Sequence, residues 1–94
     1  MGFRRSLEMS ISREEFFRLL PAAVASVFTV NGDTLRGHDG TCGWLIRLTP
    51  LADHRAGSVV VPRHRVDVAL EECSEAEGEE FLVRFHRAFL RGGG

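Results

Sequence analysis

The sequence predicts a small α+β protein in which an antiparallel meander sheet of four strands, or five if Pro62 divides the last, lies between two terminal helices. Helix-capping sequences begin at Ser12 and Ser74, and strand-type alternation fills much of the chain between them. Asn31-Gly32 and Asp39-Gly40 are typical of tight hairpin turns. We therefore expect the order α-β-β-β-β-α, with both helices packed on one face of the sheet.

The size and composition of the chain favour a single folded domain. Its 94 residues are 44% apolar and 27% charged, which is far from the composition of a disordered chain. A domain of this length buries roughly 60–70% of its surface, enough for one core. Residues 1–8 show no clear hydrophobic period. We expect them to form a flexible N-terminal arm, followed by one domain over residues 9–94.

The first helix is predicted from a cap and one apolar stripe. Ser12 and Glu15 have the spacing of a capping box, in which each side chain satisfies a free amide at the helix start. Phe16 and Leu20 fall on one helical face. Pro21 disfavours helical geometry at the residue before it, so we expect the helix to end or kink there.

The alternation of apolar and polar residues places the strands after this helix. Residues 24–30 alternate first, 34–38 form a short polar strand, and 41–49 point Trp44, Ile46 and Leu48 to one side. Residues 51–57 form a polar loop in this interpretation. In the last β segment, 58–70, the apolar parity changes between Val61 and Val66, which predicts a bulge or break at residues 62–65.

The last helix has the clearest local pattern. Ser74 and Glu77 form a second capping box, and an apolar stripe follows it. The predicted core combines this stripe with the inward residues of the earlier elements: Phe16, Leu20, Phe28, Val30, Trp44, Ile46, Val66, Val68, Phe81, Phe85 and Phe89.

Composition and missing motifs limit the classes of function. The net charge of −1 gives no general attraction to nucleic acid or to anionic lipid, and no stretch is long and apolar enough to predict a membrane span. Without such a span, and without a signal-peptide pattern in residues 1–11, we expect a cytoplasmic protein, and in that reducing compartment Cys42 and Cys73, which lie outside any CxxC pattern, are expected to be free thiols. No catalytic or phosphate-binding motif is present. We expect neither an enzyme nor a bound cofactor.

Two groups of polar residues are candidate binding sites. His38, Asp39 and Cys42 lie near one predicted turn, but their spacing fits no zinc signature, and we expect no metal. A bulge at residues 62–65 would bring two arginines and a histidine together, and the last helix carries three more arginines. The resulting candidate anion or partner site is Arg63, His64, Arg65, Arg84, Arg87 and Arg91. The competing interpretation is that Arg63 and Arg65 pair with acids such as Asp67 or those within residues 71–80.

The C-terminal residues Arg91-Gly92-Gly93-Gly94 resemble the Gly-Gly tail of ubiquitin-like proteins and bacterial sulfur carriers. The resemblance implies a carrier whose terminal carboxylate, after Gly93 and Gly94, is activated and conjugated. Those families have a β-grasp fold in which the tail leaves a strand. Here the tail follows a predicted helix, where glycine is also the ordinary stop residue.

The function we expect from the sequence is a small non-catalytic interaction or accessory module. Ala25, Val27 and Leu45 leave the second sheet face partly apolar, which favours a protein partner or a homodimer. The first alternative is an anion or nucleic-acid binder that uses the six-residue Arg/His set, although the charge balance disfavours nucleic acid. The second alternative is the carrier.

Overall fold

The computed structural model describes residues 3–24, 27–39 and 42–93, with side chains omitted at 3, 39 and 90–93. The elements, in chain order, are β1 (Phe3–Met9), α1 (Arg13–Val24), β2 (Phe28–Asn31), β3 (Thr34–Asp39), β4 (Cys42–Ala56), β5 (Val59–Glu71) and α2 (Glu75–Gly93). All neighbouring strands are antiparallel, in the order β1-β5-β4-β3-β2. The predicted α+β class, with a meander sheet and terminal helices, is confirmed.

The fifth strand arises from a part of the chain for which we had expected no regular structure. We predicted an arm over residues 1–8, whereas Phe3–Met9 form β1 and pair with β5 along the whole strand. Leu7 and Met9 pack against the core, while Ser6 and Glu8 alternate with them and are exposed. This is a strand period. Only two apolar residues carry it, after Arg4 and Arg5, so it was not recognised in the sequence.

The bulge or break predicted at residues 62–65 is confirmed only in part. β5 continues through Pro62 without a break, and a register irregularity lies opposite Pro62, with the extra residue on β4 between Leu51 and His54. Pro62 lies beyond the last β1 pair, Met9 with His64, so its missing N–H takes no bond from that ladder. The parity change has a different cause: Val59 and Val61 belong to a two-stranded extension of the sheet and do not face the core.

The predicted polar loop at residues 51–57 is likewise part of this extension. β4 and β5 run on together beyond their neighbours and join at Gly57, whose φ of 63° is the left-handed geometry that a two-residue hairpin turn requires. We call residues 51–62 the β4–β5 ribbon. The hairpin predicted at Asn31-Gly32 is present, but Asn31 pairs with Thr34, so the two turn residues are Gly32, at the same φ, and Asp33. Gly40 of the predicted Asp39-Gly40 turn lies outside the described residues.

The helices begin where their caps predict. The Ser12 Oγ accepts a hydrogen bond from the Glu15 N–H (3.1 Å), and Ser74 and Glu77 exchange bonds of 3.0 and 3.1 Å in a full capping box. α1 does not end at Pro21 but continues to Val24, because Ala23 and Val24 are fully buried against the core. None of the helices within the described ranges is long and apolar enough to cross a membrane.

The core lies between the two helices and one sheet face. Nine of the eleven predicted core residues are buried, while Phe28 is half-buried and Val30 is 49% exposed. Both exceptions belong to β2, which has a neighbour on one side only. Gly37, on β3, is buried under the Trp44 indole, and a Cβ at Gly37 would lie 2.5 Å from that ring. Glycine is needed there for close packing.

The two cysteines are not free, contrary to our expectation. Cys42 and Cys73 form a disulfide with a Cα–Cα distance of 4.4 Å. The pairing of Gly43 with Glu71 brings the start of β4 beside the β5–α2 connection, so residues separated by 31 positions become neighbours. The bond fastens the base of α2 to the sheet. It lies next to Glu72, which has a left-handed φ of 58°.

Candidate functional site

The sheet has two different faces. Strand alternation turns the core residues toward the helices, and the residues between them point to the other side, which no described helix covers. Along the central strands this helix-free face presents mostly charged and polar groups: Arg4, Ser6, Glu8, Thr34, Arg36, His38, Leu45, Arg47, Thr49, Arg65, Asp67, Ala69 and Glu71. The surface expected to be partly apolar is therefore mainly charged. Of the three apolar residues assigned to it, Leu45 lies there, Val27 precedes β2, and Ala25 is outside the described residues.

Three arginines surround a small apolar centre on this face. Arg4, Ala69, Leu45 and Arg36 are cross-strand neighbours in one row, and Arg47 follows Leu45 by two residues on the same side of β4. With strands about 4.8 Å apart, the Cα atoms of Arg4 and Arg36 lie about 14 Å apart. We call Arg4, Arg36, Arg47, Leu45 and Ala69 the arginine face.

The arginine face is concave on both sides of Leu45. A groove of about 500 Å³ runs between β1 and β4, with Arg4, Arg47, Leu45 and Ala69 among its lining residues. A smaller hollow of about 250 Å³, lined in part by Arg36 and Leu45, continues toward β3. The two share Leu45. Together they offer an apolar floor edged by guanidinium groups.

The arginines of this face are available to a ligand. Arg4, Arg36 and Arg47 are exposed, and none of them forms an ion pair within 4.0 Å with any carboxylate of the described residues. Their guanidinium forks match the geometry of carboxylate or phosphate. The nearest acid is Asp67, opposite Arg47 on β5.

Asp67 is already held by other groups. The Ser6 hydroxyl donates a hydrogen bond to its carboxylate, and the Arg65 Nε does so at 3.2 Å. The Ser6 bond, with smaller contributions from Arg65 and Arg47, lowers the pKa of Asp67. Asp67 therefore stays charged and partly offsets the nearby arginines.

The acidic residues of the helices lie near the helix N-termini. Glu14 and Glu15 lie in the first turn of α1, and Glu75 and Glu77 in that of α2, followed by Glu79 and Glu80. The two helices carry six glutamates and five arginines, so their charge is nearly balanced. On the helix-free face the described arginines outnumber the acids, so this face is more basic than the net charge of −1 for the whole chain suggests.

The predicted Arg/His set does not form a cluster. Arg63 and Arg65 lie on the helix-free face, where Arg63 pairs with Glu8 (3.5 Å) and Arg65 with Asp67 (3.2 Å), as the competing interpretation anticipated. His64 points to the opposite side, with its Nδ1 2.8 Å from the Ile11 carbonyl oxygen. A regular strand separates neighbouring side chains in this way, whereas the prediction had assumed a bulge.

The arginines of α2 are placed elsewhere. The Arg84 Nε donates to the Ala23 carbonyl (3.1 Å), with its guanidinium 5.8 Å from the centre of the Phe81 ring, so this half-buried side chain joins the two helices. Arg87 is exposed on α2. The Arg91 side chain and Gly94 lie outside the described residues, while Gly93 is the last residue of α2.

Sequence reasoning missed the three exposed arginines of the arginine face, Arg4, Arg36 and Arg47. Arg36 follows the buried Leu35, and Arg47 lies between the buried Ile46 and Leu48, so the alternation placed both on an outer face. Only the strand order shows that Arg4 lies on the same face as Arg36 and Arg47. Arg4 is distant from both in the sequence, in the segment predicted to be a flexible arm.

No metal centre is indicated in the part of the chain that the structure describes, where no three His, Cys, Asp or Glu side chains are grouped to hold an ion. The Cys42 sulfur, considered as a ligand, is in the disulfide. Comparisons with protein-family models, with curated proteins and with solved structures gave no match. A proposal for the function must therefore be based on the geometry of the sheet.

Proposed function

We propose that this protein is a non-catalytic binding module that holds an acidic segment of a partner protein on its arginine face. One observation carries the proposal: Arg4 and Arg47 line the groove on one side of Leu45, Arg36 lines the hollow on its other side, and none of the three forms an ion pair with a described carboxylate. A segment with carboxylates around one aliphatic side chain would satisfy both the guanidinium groups and the apolar floor.

An acidic protein segment fits this surface better than nucleic acid. No Phe, Tyr or Trp lies among the described side chains of the helix-free face, so the His38 imidazole is the one ring there on which a base could stack. Glu8, Asp67 and Glu71 also interrupt the basic surface, and a continuous phosphate backbone would meet them. Separate carboxylates of a folded or extended protein partner can avoid these positions.

The disulfide bears on the cellular location of the protein. The expectation of a cytoplasmic protein stays a prediction, and the free cysteines inferred from it are not found. A disulfide with both cysteines buried is typical of proteins that fold in an oxidising compartment, which argues against that location. The binding geometry is independent of this point, since neither cysteine lies on the arginine face.

The test uses labelled peptides of defined charge. A peptide of alternating glutamate and leucine is compared with its lysine–leucine counterpart by fluorescence anisotropy against the protein and two variants. The acidic peptide should bind, and Arg36→Glu with Arg47→Glu should weaken it by about tenfold or more. Arg87→Glu on exposed α2, which makes the charge change of either single substitution, is the control and should have little effect.

The outcomes separate the alternatives. Equal loss in the α2 control, or equal binding of both peptides, would contradict a specific role for the arginine face. If a single-stranded oligonucleotide competes with the acidic peptide and binds more tightly, the nucleic-acid alternative replaces the proposal. The carrier alternative makes a separate prediction: deletion of Gly93 and Gly94 abolishes conjugation and leaves peptide binding unchanged.

A further inference from the structure

The sheet has three stretches of strand with a free edge within the described residues: the outer side of β1, the β4–β5 ribbon and the outer side of β2. Free edges expose backbone N–H and C=O groups that another strand can pair with. Proteins usually protect such edges with charges, proline or covering elements. The three edges of this protein differ in how well they are protected.

Two of the edges carry protective residues. β1 presents Arg4, Arg5 and Glu8, all exposed. Pro50 lies on β4 just before the ribbon, beyond the last β3 pair at Arg47, and Pro62 lies on β5 within the ribbon, beyond the last β1 pair at His64. A proline offers no N–H to an incoming strand. These edges are poorly suited to pairing.

The β2 edge has neither kind of protection. Residues 27–32 contain no charged residue and no proline. Val27, just before the strand, is 92% exposed, and Val30 within it is 49% exposed. β2 therefore offers free backbone groups beside exposed apolar side chains, a combination that natural edges usually avoid.

Phe17 on α1 adds apolar surface near the end of β2. The Arg13 guanidinium connects the two elements: it lies 4.8 Å from the centre of the Phe17 ring and donates a hydrogen bond to the Gly32 carbonyl (2.8 Å). The half-buried Phe17 is thereby placed near the turn that ends β2. Phe28 on β2 is also only half-buried. An added strand could therefore pair with the β2 backbone and also cover the half-buried Phe17 and Phe28 side chains on the helix side of the sheet.

We propose that the occupant of this edge is a second copy of the chain, whose β2 pairs antiparallel with the first across a two-fold axis. The same short strand then serves both subunits, so the interface is complementary to itself. Because the strand is uncharged, pairing brings no like charges together, whereas two copies of β1 would oppose arginines. The product is one continuous ten-stranded sheet. Both arginine faces lie on the same side of it, so the dimer presents two binding surfaces to a partner.

The test measures oligomeric state over roughly two decades of protein concentration by sedimentation equilibrium, since the dimer population follows mass action. Wild-type protein should shift from monomer to dimer. Val27→Lys with Val30→Lys should raise the dissociation constant by about tenfold or more. The control is Val59→Lys with Val60→Lys on the ribbon, where exposures of 57% and 48% make the changes comparable for folding. The control should dimerise like wild type.

A second measurement needs no variant. Amide hydrogen exchange in β2 should slow as wild-type protein is concentrated, while exchange in the outer residues of β1 should not change. A protein that stays monomeric throughout, or a dimer that is lost in the ribbon variant instead, overturns the proposal. In the monomeric case the β2 edge would be left for an extended segment of a different protein.

Discussion

Removal of the Cys42–Cys73 disulfide should cause the largest loss of stability of any change considered for this protein. The perturbation is Cys42→Ala with Cys73→Ala. Both cysteines are buried, and the bond connects the start of β4 with the residue before the α2 cap. Alanine leaves no unpaired thiol and introduces no polar group into the core.

The expected magnitude follows from the loop that the disulfide closes. Cross-linking residues separated by 31 positions removes conformational entropy from the unfolded chain. In the loop-entropy treatment this corresponds to about 4 kcal/mol at 25 °C. A small domain has a total unfolding free energy of about 5–15 kcal/mol, so the loss is a large share. The melting temperature should fall by about 15–30 °C.

The assay is urea unfolding followed by circular dichroism, with wild type measured in the oxidised state and again with a reductant. The reduced wild type should unfold near the double variant, and the oxidised protein at a much higher urea concentration. Thiol counting under denaturing conditions, without reductant, should find no free thiol. Two free thiols, or a stability difference below about 1 kcal/mol against the typical 2–4, would refute the disulfide and its structural role.

Three further predictions concern single positions. Gly37→Ala should lower the unfolding free energy by about 1–3 kcal/mol, because the new Cβ meets the Trp44 ring; an unchanged urea midpoint would show that the ring can move aside. Asp67→Asn should strengthen binding of the acidic peptide several-fold in anisotropy, since it removes the carboxylate nearest Arg47; weaker binding would contradict the charge argument. Asp67 also has a lowered folded-state pKa, so its stabilisation is present above its unfolded pKa of about 3.9 and is lost as pH falls through the folded value; the unfolding free energy of wild type should therefore exceed that of Asp67→Asn at pH 7 to 8, and this difference should shrink as the pH falls below about 3.9.

Local sequence signals predicted much of the fold. The capping boxes located both helices because each cap is made by side chains within one turn. The hairpin between β2 and β3 was predicted in the same way, although its turn residues are Gly32 and Asp33, one position later than the predicted pair. β1 was missed because its two inward residues, Leu7 and Met9, acquire meaning only when β5 supplies the neighbouring ladder.

The candidate site depended more strongly on tertiary structure. Alternation indicated that Arg36 and Arg47 face away from the core, but the sequence could not show that the helices leave that face uncovered. It also could not place Arg4 in the same row as Leu45. The predicted site assumed a bulge at residues 62–65, and the regular strand found there sends His64 to the side opposite Arg63 and Arg65.

The disulfide shows the same limit. Cysteine count and spacing suggested two free thiols, because nothing local relates Cys42 to Cys73. Their proximity follows from the pairing of β4 with β5 and from the short connection to α2. Cysteine pairing at this separation can be predicted only after the strand register is known.

The central claim, that the arginine face binds an acidic partner segment, is tested most directly by nuclear magnetic resonance on isotope-labelled protein titrated with the glutamate–leucine peptide. We predict shifts at the backbone amides of Leu45 and Ala69 and at the side-chain Nε–H groups of Arg4, Arg36 and Arg47, with α2 unaffected. The shifts should weaken as salt is added, because exposed charges are screened. Shifts centred on α2, or no shifts when peptide is in large excess, would contradict the account.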